Sequence, residues 1–304
     1  MAATTTVPIE NPELFKQRAL KWANKFSTVC LLNSNNYKQD AYSRISWRLV
    51  VDAVDFVSVK DLNERTDPFQ QLADFLVSKS EDVYGFFSYD LKAHTHKLTD
   101  DLLSISQFPL LFFFQPRYVF NIHGNQLTVN RNYPETFEIL EAISSIAIDE
   151  DETIVGPTTL KSCVEYDEYL HNVEQIRQQI EAGDFYELNY CINFTGNYTE
   201  INPGALYNLL NNKTEAPFST YFKLNDQYLL CASPERFLQK DGSTLRSQPI
   251  KGTCAIGKTD AENIKLRNDL KSDEKERAEN VMIVDLVRND LAQVAEPGTV
   301  KVDE

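Results

Sequence analysis

The sequence predicts an α+β fold built on antiparallel sheets with helices beside them. Two observations lead to this prediction. Short apolar runs rich in β-formers alternate with polar turns through the first half of the chain, and helical patterns lie between groups of strands. Regular strand–helix–strand units, which are typical of a parallel sheet, do not describe the pattern. The 304 residues allow one large domain or two ordinary ones.

The first half contains five strand candidates, each bounded by turn residues. We predict these strands at 27–32, 46–54, 83–89, 118–122 and 126–129. The last two are joined by a turn at His123-Gly124-Asn125. Helical patterns are predicted at 68–78 and 134–146.

A polar connection separates the two halves of the chain. The acidic run 149–152 is followed by Gly156-Pro157, a combination that is typical of a solvated link. We therefore place a boundary there. It divides the chain into an N-terminal α+β portion, 1–155, and a second portion, 156–304.

The second half opens with a helix and a strand-like segment. Apolar residues recur at helical spacing over 166–182, and Gly183 is a natural C-terminal stop. The segment 185–194 then reads as a strand. The portion therefore continues the α+β pattern of the first half.

Two further elements follow near the C-terminal end. The dipeptide Asp241-Gly242 indicates a two-residue turn between strands at 237–240 and 243–247. Ser272 is the expected N-cap of a last helix that runs to about Asp290.

Composition limits the classes of function. The net charge of −15 argues against a general binder of nucleic-acid backbone, and an anionic small molecule would need a metal ion or a few placed cations. The five cysteines form no metal-type pair and are odd in number, which favours a reducing compartment. No secretory pattern opens the chain and no apolar run is long enough for a membrane, so we expect a cytoplasmic protein.

The last predicted helix holds a pair of carboxylates. Glu276 and Glu279 are three residues apart and share one helix face, where they could share a hard cation such as Mg²⁺. An ordinary solvated face is the alternative. The apolar run that follows predicts burial on most sides, and buried carboxylates need a cation or another partner. That run comprises Met282, Ile283, Val284, Leu286 and Val287.

A glutamate and a lysine flank the predicted hairpin. A turn at Asp241-Gly242 pairs Glu235 with Gln248, so Glu235 and Lys251 emerge at the same end of the ribbon. Strict alternation puts them on opposite faces, so a direct contact needs a break such as a bulge. A partly buried lysine beside a base can act as a nucleophile; the alternative is a surface ion pair.

Several long motifs resemble the chorismate-utilising synthases, which include anthranilate, aminodeoxychorismate, isochorismate and salicylate synthases. The motifs keep the order found in that family, and GFFSYDL (85–91) is a weaker match in the first half. The resemblance implies the fold of those enzymes, with large two-layer antiparallel sheets flanked by helices. The matching stretches are GDFYELNYCINF (183–194), APF (216–218), SPERF (233–237), PIKGT (249–253), DEKERAENVMIVDLVRNDLAQV (273–294) and PGTVKV (297–302).

The resemblance implies a Mg²⁺ site for a dicarboxylate substrate. In that family Glu279 matches a direct metal ligand and Glu276 a second acid near the ion. Thr253, with its neighbour Gly252, matches a position near the substrate ring. A cation that bridges acidic side chains and a substrate carboxylate would explain how a chain of negative net charge binds an anionic small molecule.

The lysine and its surroundings suggest a branch of the family. Lys251 matches a lysine that attacks the ring in the aminodeoxychorismate enzymes of folate synthesis, where anthranilate synthases have alanine. Glu235 matches the acid that exchanges a proton with that lysine. Glu187 stands where amine-adding members have glutamine and water-adding members have lysine, so it excludes the water-activating lysine without defining a role.

The resemblance also implies partners. Ammonia would come from a separate glutamine amidotransferase subunit, because no cysteine-based glutaminase motif is present in this sequence. The N-terminal layer of the family can bind tryptophan, and Ser34, Tyr42 and Ser43 match such a site loosely, with ordinary loop residues as the alternative. Anthranilate synthase and a non-catalytic ligand-binding homologue are the competing functions.

One departure concerns the C-terminal end. Members of that family continue past the PGTVKV stretch to a glycine-rich segment, another metal-binding glutamate and further substrate contacts. We therefore expect a truncated chain whose metal site lacks part of its carboxylate set. Residues 1–304 alone are predicted to be inactive and poorly folded, because missing partner strands leave backbone groups unpaired.

Overall fold

The computed structural model describes residues 4–38, 40–61, 67–96, 106–130, 135–148, 159–198 and 201–303. The strands within them are β1 Thr4–Pro8, β2 Thr28–Asn33, β3 Trp47–Val59, β4 Tyr84–Phe87, β5 Leu111–His123, β6 Gln126–Asn130, β7 Lys161–Ser162, β8 Phe194–Thr195, β9 Phe218–Leu224, β10 Gln227–Ser233, β11 Arg236–Asp241 and β12 Thr244–Gln248. The helices are α1 Pro12–Ala23, α2 Pro68–Val77, α3 Lys92–His96, α4 Thr136–Ser144, α5 Tyr166–Ala182, α6 Pro203–Thr214, α7 Asp260–Ser272 and α8 Glu274–Ala292.

One eight-stranded sheet dominates the structure. Its strand order is β1-β6-β5-β3-β2-β9-β10, with β4 added beside β5. Each of these pairings is antiparallel, so the predicted α+β fold with antiparallel sheets is confirmed. The other two sheets of the described residues are two-stranded ribbons, β11-β12 and β7-β8.

The two longest strands are bent by a bulge at their centre. The β3–β5 register shifts between Ala53 and Asp55, and Pro116 pairs with Ala53 at that point. A proline has no N–H for the ladder and is tolerated at such an irregularity. Asp52 beside it has φ 66° and accepts a hydrogen bond from Arg117 Nε at 2.8 Å. The bulge therefore lets β5 continue past its proline over thirteen residues.

The main core lies between one face of the sheet and helices α1, α4 and α6. Helix α1 starts at Pro12, and the Asn11 side chain caps it by accepting from Leu14 N at 3.0 Å. Burial of this apolar face is the main stabilising term of such a helix. The helix residues in the core are Phe15, Ala19, Leu20, Trp22, Ala23, Ile143 and Tyr207.

The opposite face of the sheet carries a second, aromatic cluster. The rings of Phe112, Phe114 and Phe222 lie within 6.3 Å of one another, centroid to centroid. Cys30 and Val50 are buried beside them. Both faces of the central strands are therefore covered.

Burial also sets the reactivity of Cys30. Its side chain is 4% exposed, and burial raises the pKa of its thiol to about 12. Because the thiolate is the reactive form, we expect an aromatic disulfide reagent at pH 8 to modify the exposed Cys163, Cys191 and Cys254 in the native protein, and Cys30 only after unfolding. In denaturant, the reagent should react with all five thiols. Rapid native labelling of the Cys30 peptide would contradict this burial.

Some elements of the second half belong to the main sheet, whereas others bury no residue. Strands β9 and β10 pair with β2 and extend the sheet formed by the first half. By contrast, helices α5, α7 and α8 contain no buried residue. The predicted boundary near residue 155 lies outside the described residues, as does the acidic run before it.

Two predictions about elements of the second half are wrong in part. The segment 185–194 forms a strand only at its end, where Phe194 pairs with Ser162. The hairpin is present, but Asp241 pairs with Thr244, so its two-residue loop is Gly242-Ser243. Gly242 has φ 58°, a conformation that glycine adopts without strain.

The last helix also differs from its prediction. Ser272 ends α7, and the N-cap of α8 is the next residue, Asp273, whose carboxylate accepts from Glu276 N at 3.0 Å. Its apolar residues are at best half-buried, so the prediction of burial on most sides is wrong for the described chain. Among the described helices, none is both long and apolar enough to cross a lipid bilayer.

Candidate active site

Lys251 lies in the loop that follows the β11–β12 hairpin. Its Nζ donates a hydrogen bond to Glu187 Oε1 at 2.9 Å, and the two side chains are 29% and 26% exposed. Glu187 comes from the segment between α5 and β8, 64 residues earlier in the chain. The fold therefore pairs the candidate nucleophile with a carboxylate in a half-buried setting, where an ion pair is less screened than at the surface.

The next residue of the loop rests on α8. Gly252 has φ 76°, and a Cβ built on it would lie 2.8 Å from Glu276 Oε2 and 3.4 Å from Glu276 Cβ. A side chain here would meet both backbone strain and the carboxylate. Gly252 and Glu276, predicted as neighbours of the substrate and the metal ion, are thus brought into contact.

Glu276 and Glu279 lie one turn apart on α8, and Glu276 is the one that meets this loop. Both side chains are half-buried, and Lys275 Nζ lies 3.6 Å from Glu279 Oε1. Mg²⁺ is commonly held by one or two carboxylates that leave several waters in place. The two carboxylates supply oxygen donors of the type that Mg²⁺ prefers. Among the described residues, no group of three His, Cys, Asp or Glu side chains is suited to a metal.

Glu235 is not brought to the lysine. Its side chain is exposed, and its backbone N–H donates to Ser233 Oγ at 3.3 Å. The ion pair of Lys251 within 4 Å is with Glu187. Thr253, one residue beyond Gly252, is exposed as well. A bulge does interrupt the hairpin between Arg236 and Gln239, but it does not turn Glu235 toward Lys251.

An ion pair joins the loop between β2 and β3 to the β11–β12 hairpin. Arg236 forms an ion pair with Asp40, and these side chains are 11% and 9% exposed. The Arg236 guanidinium also stacks 4.9 Å from the Phe218 ring centroid and donates to Gln248 Oε1 at 2.8 Å. Sequence reasoning missed this pair because Asp40 and Arg236 are 196 residues apart and no spacing rule relates them.

The same loop, between β2 and β3, contains all three residues matched to a tryptophan site. The Tyr42 ring lies 4.6 Å from the Arg246 guanidinium, and the Tyr42 carbonyl accepts from Gln239 Nε2 at 3.1 Å. Ser43 Oγ donates to Ile45 O at 3.2 Å. Ser34 is 9% exposed and donates to Ser46 O at 3.3 Å. These residues therefore make contacts within the fold, and tryptophan binding stays a prediction.

A separate cavity of about 930 Å³ lies between α1 and α6. Its lining includes Lys21, Asn24, Asn202 and Tyr228 and none of the residues of the predicted site. Nearby, the buried Lys223 donates to the Asn24 carbonyl, and burial lowers the pKa of its amine. The cavity is thus distinct from the Lys251 site.

Comparisons with known proteins agree with the motifs. The sequence model of a family described as chorismate binding enzyme matches residues 27–304. Aminodeoxychorismate synthase component 1 of Bacillus subtilis is 39% identical over 138 residues, which is 45% of this chain and 29% of that protein. The Escherichia coli K12 protein of the same name is 30% identical over 269 residues, 81% of this chain and 57% of its own length.

A solved structure shows the same fold. Anthranilate synthase component I from Streptococcus pneumoniae superposes with a TM-score of 0.72 at 22% identity, covering 88% of this chain and 65% of that one. The match therefore spans 29%, 57% and 65% of the length of these three proteins.

Proposed function

Because the chain belongs to the chorismate binding enzyme family, we propose that it takes part in the amination of chorismate to 4-amino-4-deoxychorismate, the reaction named by its aminodeoxychorismate synthase relatives. The observation that supports this branch is the half-buried Lys251, with its Nζ 2.9 Å from a carboxylate. A partly buried lysine beside a base can act as a nucleophile. The proposed product is a precursor of p-aminobenzoate and folate.

In the proposed reaction Lys251 attacks the substrate ring. The Nζ lone pair forms a bond to C2, the ring double bonds shift, and the C4–O bond breaks with its electron pair on the departing oxygen. That oxygen takes up a proton and leaves as water. Ammonia then adds at C4, the double bonds shift back, and the C2–N bond breaks so that the lysine regains its electron pair. The amino group thus replaces the C4 hydroxyl without any change of oxidation state.

Glu276 and Glu279 are the proposed holders of Mg²⁺. When bound, the cation would neutralise a substrate carboxylate and assist departure of the C4 hydroxyl as a Lewis acid. The side chains provide oxygen donors on one helix face beside Gly252. In this proposal they orient the substrate against the Lys251 loop, and Thr253 contacts the ring. The proposed role of Glu235 is to give a proton to the leaving hydroxyl, a role that does not require contact with Lys251.

The contact between Gly252 and Glu276 gives a test of this metal site. We expect Gly252→Ala to weaken Mg²⁺ binding roughly tenfold, because the added methyl displaces the Glu276 carboxylate, which has a flexible end. The matched control is Gly298→Ala, whose φ of 80° imposes similar backbone strain with no atom within 4 Å. Titration calorimetry with Mg²⁺ alone measures both variants. Equal Mg²⁺ affinities of the two variants would mean that Glu276 is not part of the metal site.

Ammonia is the proposed second substrate. It would be delivered by a separate glutamine amidotransferase subunit, which free ammonium salts can replace in an assay. The test is product formation from chorismate, Mg²⁺ and ammonium by the protein encoded by the complete reading frame, analysed by mass spectrometry. Formation of 4-amino-4-deoxychorismate supports the proposal. Anthranilate, which is recognised by its fluorescence and mass, would replace it. The inactivity expected of residues 1–304 alone stays a prediction.

A further inference from the structure

The carboxylate of Glu187 lies where it can accept a proton from Lys251. Its Oε1 accepts the Nζ hydrogen bond at 2.9 Å. Among the described residues, Glu187 is the carboxylate that lies within 4 Å of that nitrogen. We propose that Glu187 is the base that receives the proton of Lys251, an inference that rests on the proposed nucleophilic role of the lysine.

The other acidic residues of the site are engaged elsewhere. Glu235 is exposed and forms no ion pair with Lys251. Glu276 faces the backbone of Gly252, and Glu279 lies 3.6 Å from Lys275. Of these four acids, only Glu187 lies within hydrogen-bond distance of the Lys251 amine.

The segment that carries Glu187 is anchored on both sides. Before it, Gly183 ends α5 with φ 84°, and its N–H is bonded to Ile180 O at 3.0 Å. After it, the Tyr190 ring stacks on Tyr169 of α5 at 5.6 Å, and the Tyr190 hydroxyl accepts from Asn172 Nδ2 at 2.8 Å. These contacts limit the freedom of residues 184–189, so the carboxylate is held in position before substrate arrives.

The proton transfer is balanced within the pair. The Nζ–H bond breaks and leaves its electron pair on nitrogen, and the proton forms an O–H bond on Glu187. The ammonium–carboxylate pair thereby becomes an amine and a carboxylic acid, with no change in net charge. A glutamine, which amine-adding members of the family have here, could hold the lysine but could not take its proton, so the proposal concerns this chain and not those members.

Chemical crosslinking tests the contact without any need for turnover. A water-soluble carbodiimide joins an amine and a carboxylate that touch, with loss of one water molecule. We expect a Glu187–Lys251 crosslinked peptide in the full chain by mass spectrometry, at unchanged yield in Glu235→Gln and absent in Glu187→Gln. A Lys251 crosslink to Glu235, or none to Glu187, would overturn the inference.

Kinetics tests the chemical role in the protein from the complete reading frame. With chorismate and no ammonia, attack by Lys251 should add the mass of chorismate less one water to the lysine peptide. We expect Glu187→Gln to slow this step roughly 100- to 10,000-fold with little change in KM, and alkaline pH to restore part of the rate because hydroxide can remove the proton. Glu187→Asp should retain more activity than Glu187→Gln. Glu181→Gln is the control, since Glu181 lies on α5 and pairs with Arg177 in solvent.

The outcomes separate the inference from the function on which it rests. If the unsubstituted protein forms no adduct on Lys251, the nucleophilic role fails and the role of Glu187 fails with it. If the adduct forms equally fast in Glu187→Gln, only the role of Glu187 is overturned. A slow step in Glu187→Gln with no recovery at high pH would assign Glu187 to structure rather than to proton transfer.

Discussion

Replacing Lys251 by alanine is expected to reduce formation of 4-amino-4-deoxychorismate at least about 1,000-fold, because the variant loses the proposed nucleophile, which splits the substitution into two easier steps. Glu187 loses its cationic partner in the same variant. The measurement is single-turnover product formation with saturating chorismate, Mg²⁺ and ammonium. Chorismate binding should change much less than the rate, since the role concerns the reacting atoms.

A second variant, Lys251→Arg, tests whether the positive charge alone is enough for activity. Arginine keeps the positive charge beside Glu187 but does not lose its proton at working pH, so it should be as inactive as alanine. A control at another lysine, Lys161→Ala in the β7–β8 ribbon, should leave the rate unchanged. If Lys251→Ala keeps full activity, the lysine is not the nucleophile and ammonia attacks the ring directly.

Replacing Asp40 by alanine is expected to have the largest effect on stability. The Asp40–Arg236 pair is about nine-tenths buried, and removal of one partner from such a pair leaves an uncompensated charge, a loss of about 3 kcal/mol. Urea unfolding of the variant gives the change in free energy. The loss should include release of the β11–β12 hairpin, because Arg236 begins β11 and also binds Gln248 at the end of β12.

A second ion pair between the same elements is the matched control. Arg44 and Asp241 lie 2.5 Å apart, but their side chains are 70% and 40% exposed. Arg44→Ala should therefore cost at most about 1 kcal/mol. Coupling energies from the two double-mutant cycles should differ accordingly. Equal and small values for both pairs would mean that Asp40 does not hold the hairpin.

Several helix ends could be predicted because their signals are local. The prediction of α5 over 166–182 is confirmed at both ends, since Gly183 takes up the positive φ that stops a helix. The cap of α8 was predicted one residue too early. Both Ser272 and Asp273 are good caps, but the Ser272 hydroxyl donates back to Asn268 O at 2.9 Å within α7, and Asp273 caps α8.

Strand lengths were harder to predict. The segment 118–122 was predicted as a strand, whereas β5 starts at Leu111 and passes Pro116. Local reasoning stops a strand at a proline, but the bulge in β3 opposite it removes the need for an N–H there. The pairing of β9 with β2 was not predicted either, because such contacts depend on partners distant in the sequence.

In the candidate site too, the residues could be predicted from local motifs, whereas the contacts between distant segments could not. The motifs predict Lys251, Gly252, Glu276 and Glu279 as site residues, and the fold brings Gly252 against Glu276 and keeps Glu279 on the same helix face. Glu187 was noted for its unusual residue type, but its contact with Lys251 was not foreseen. The expected partner, Glu235, lies exposed at the start of the hairpin.

The amino-acid sequence alone determined the family and the α+β class, because motif order and hydrophobic patterning are properties of the linear chain. It also placed the lysine, the glycine and the acidic pair in the motifs that carry them. Only the tertiary structure decided which carboxylate meets Lys251 and which acid holds Arg236. Those choices depend on strand register, a bulge and the docking of segments 64 and 196 residues apart, and no local pattern records them.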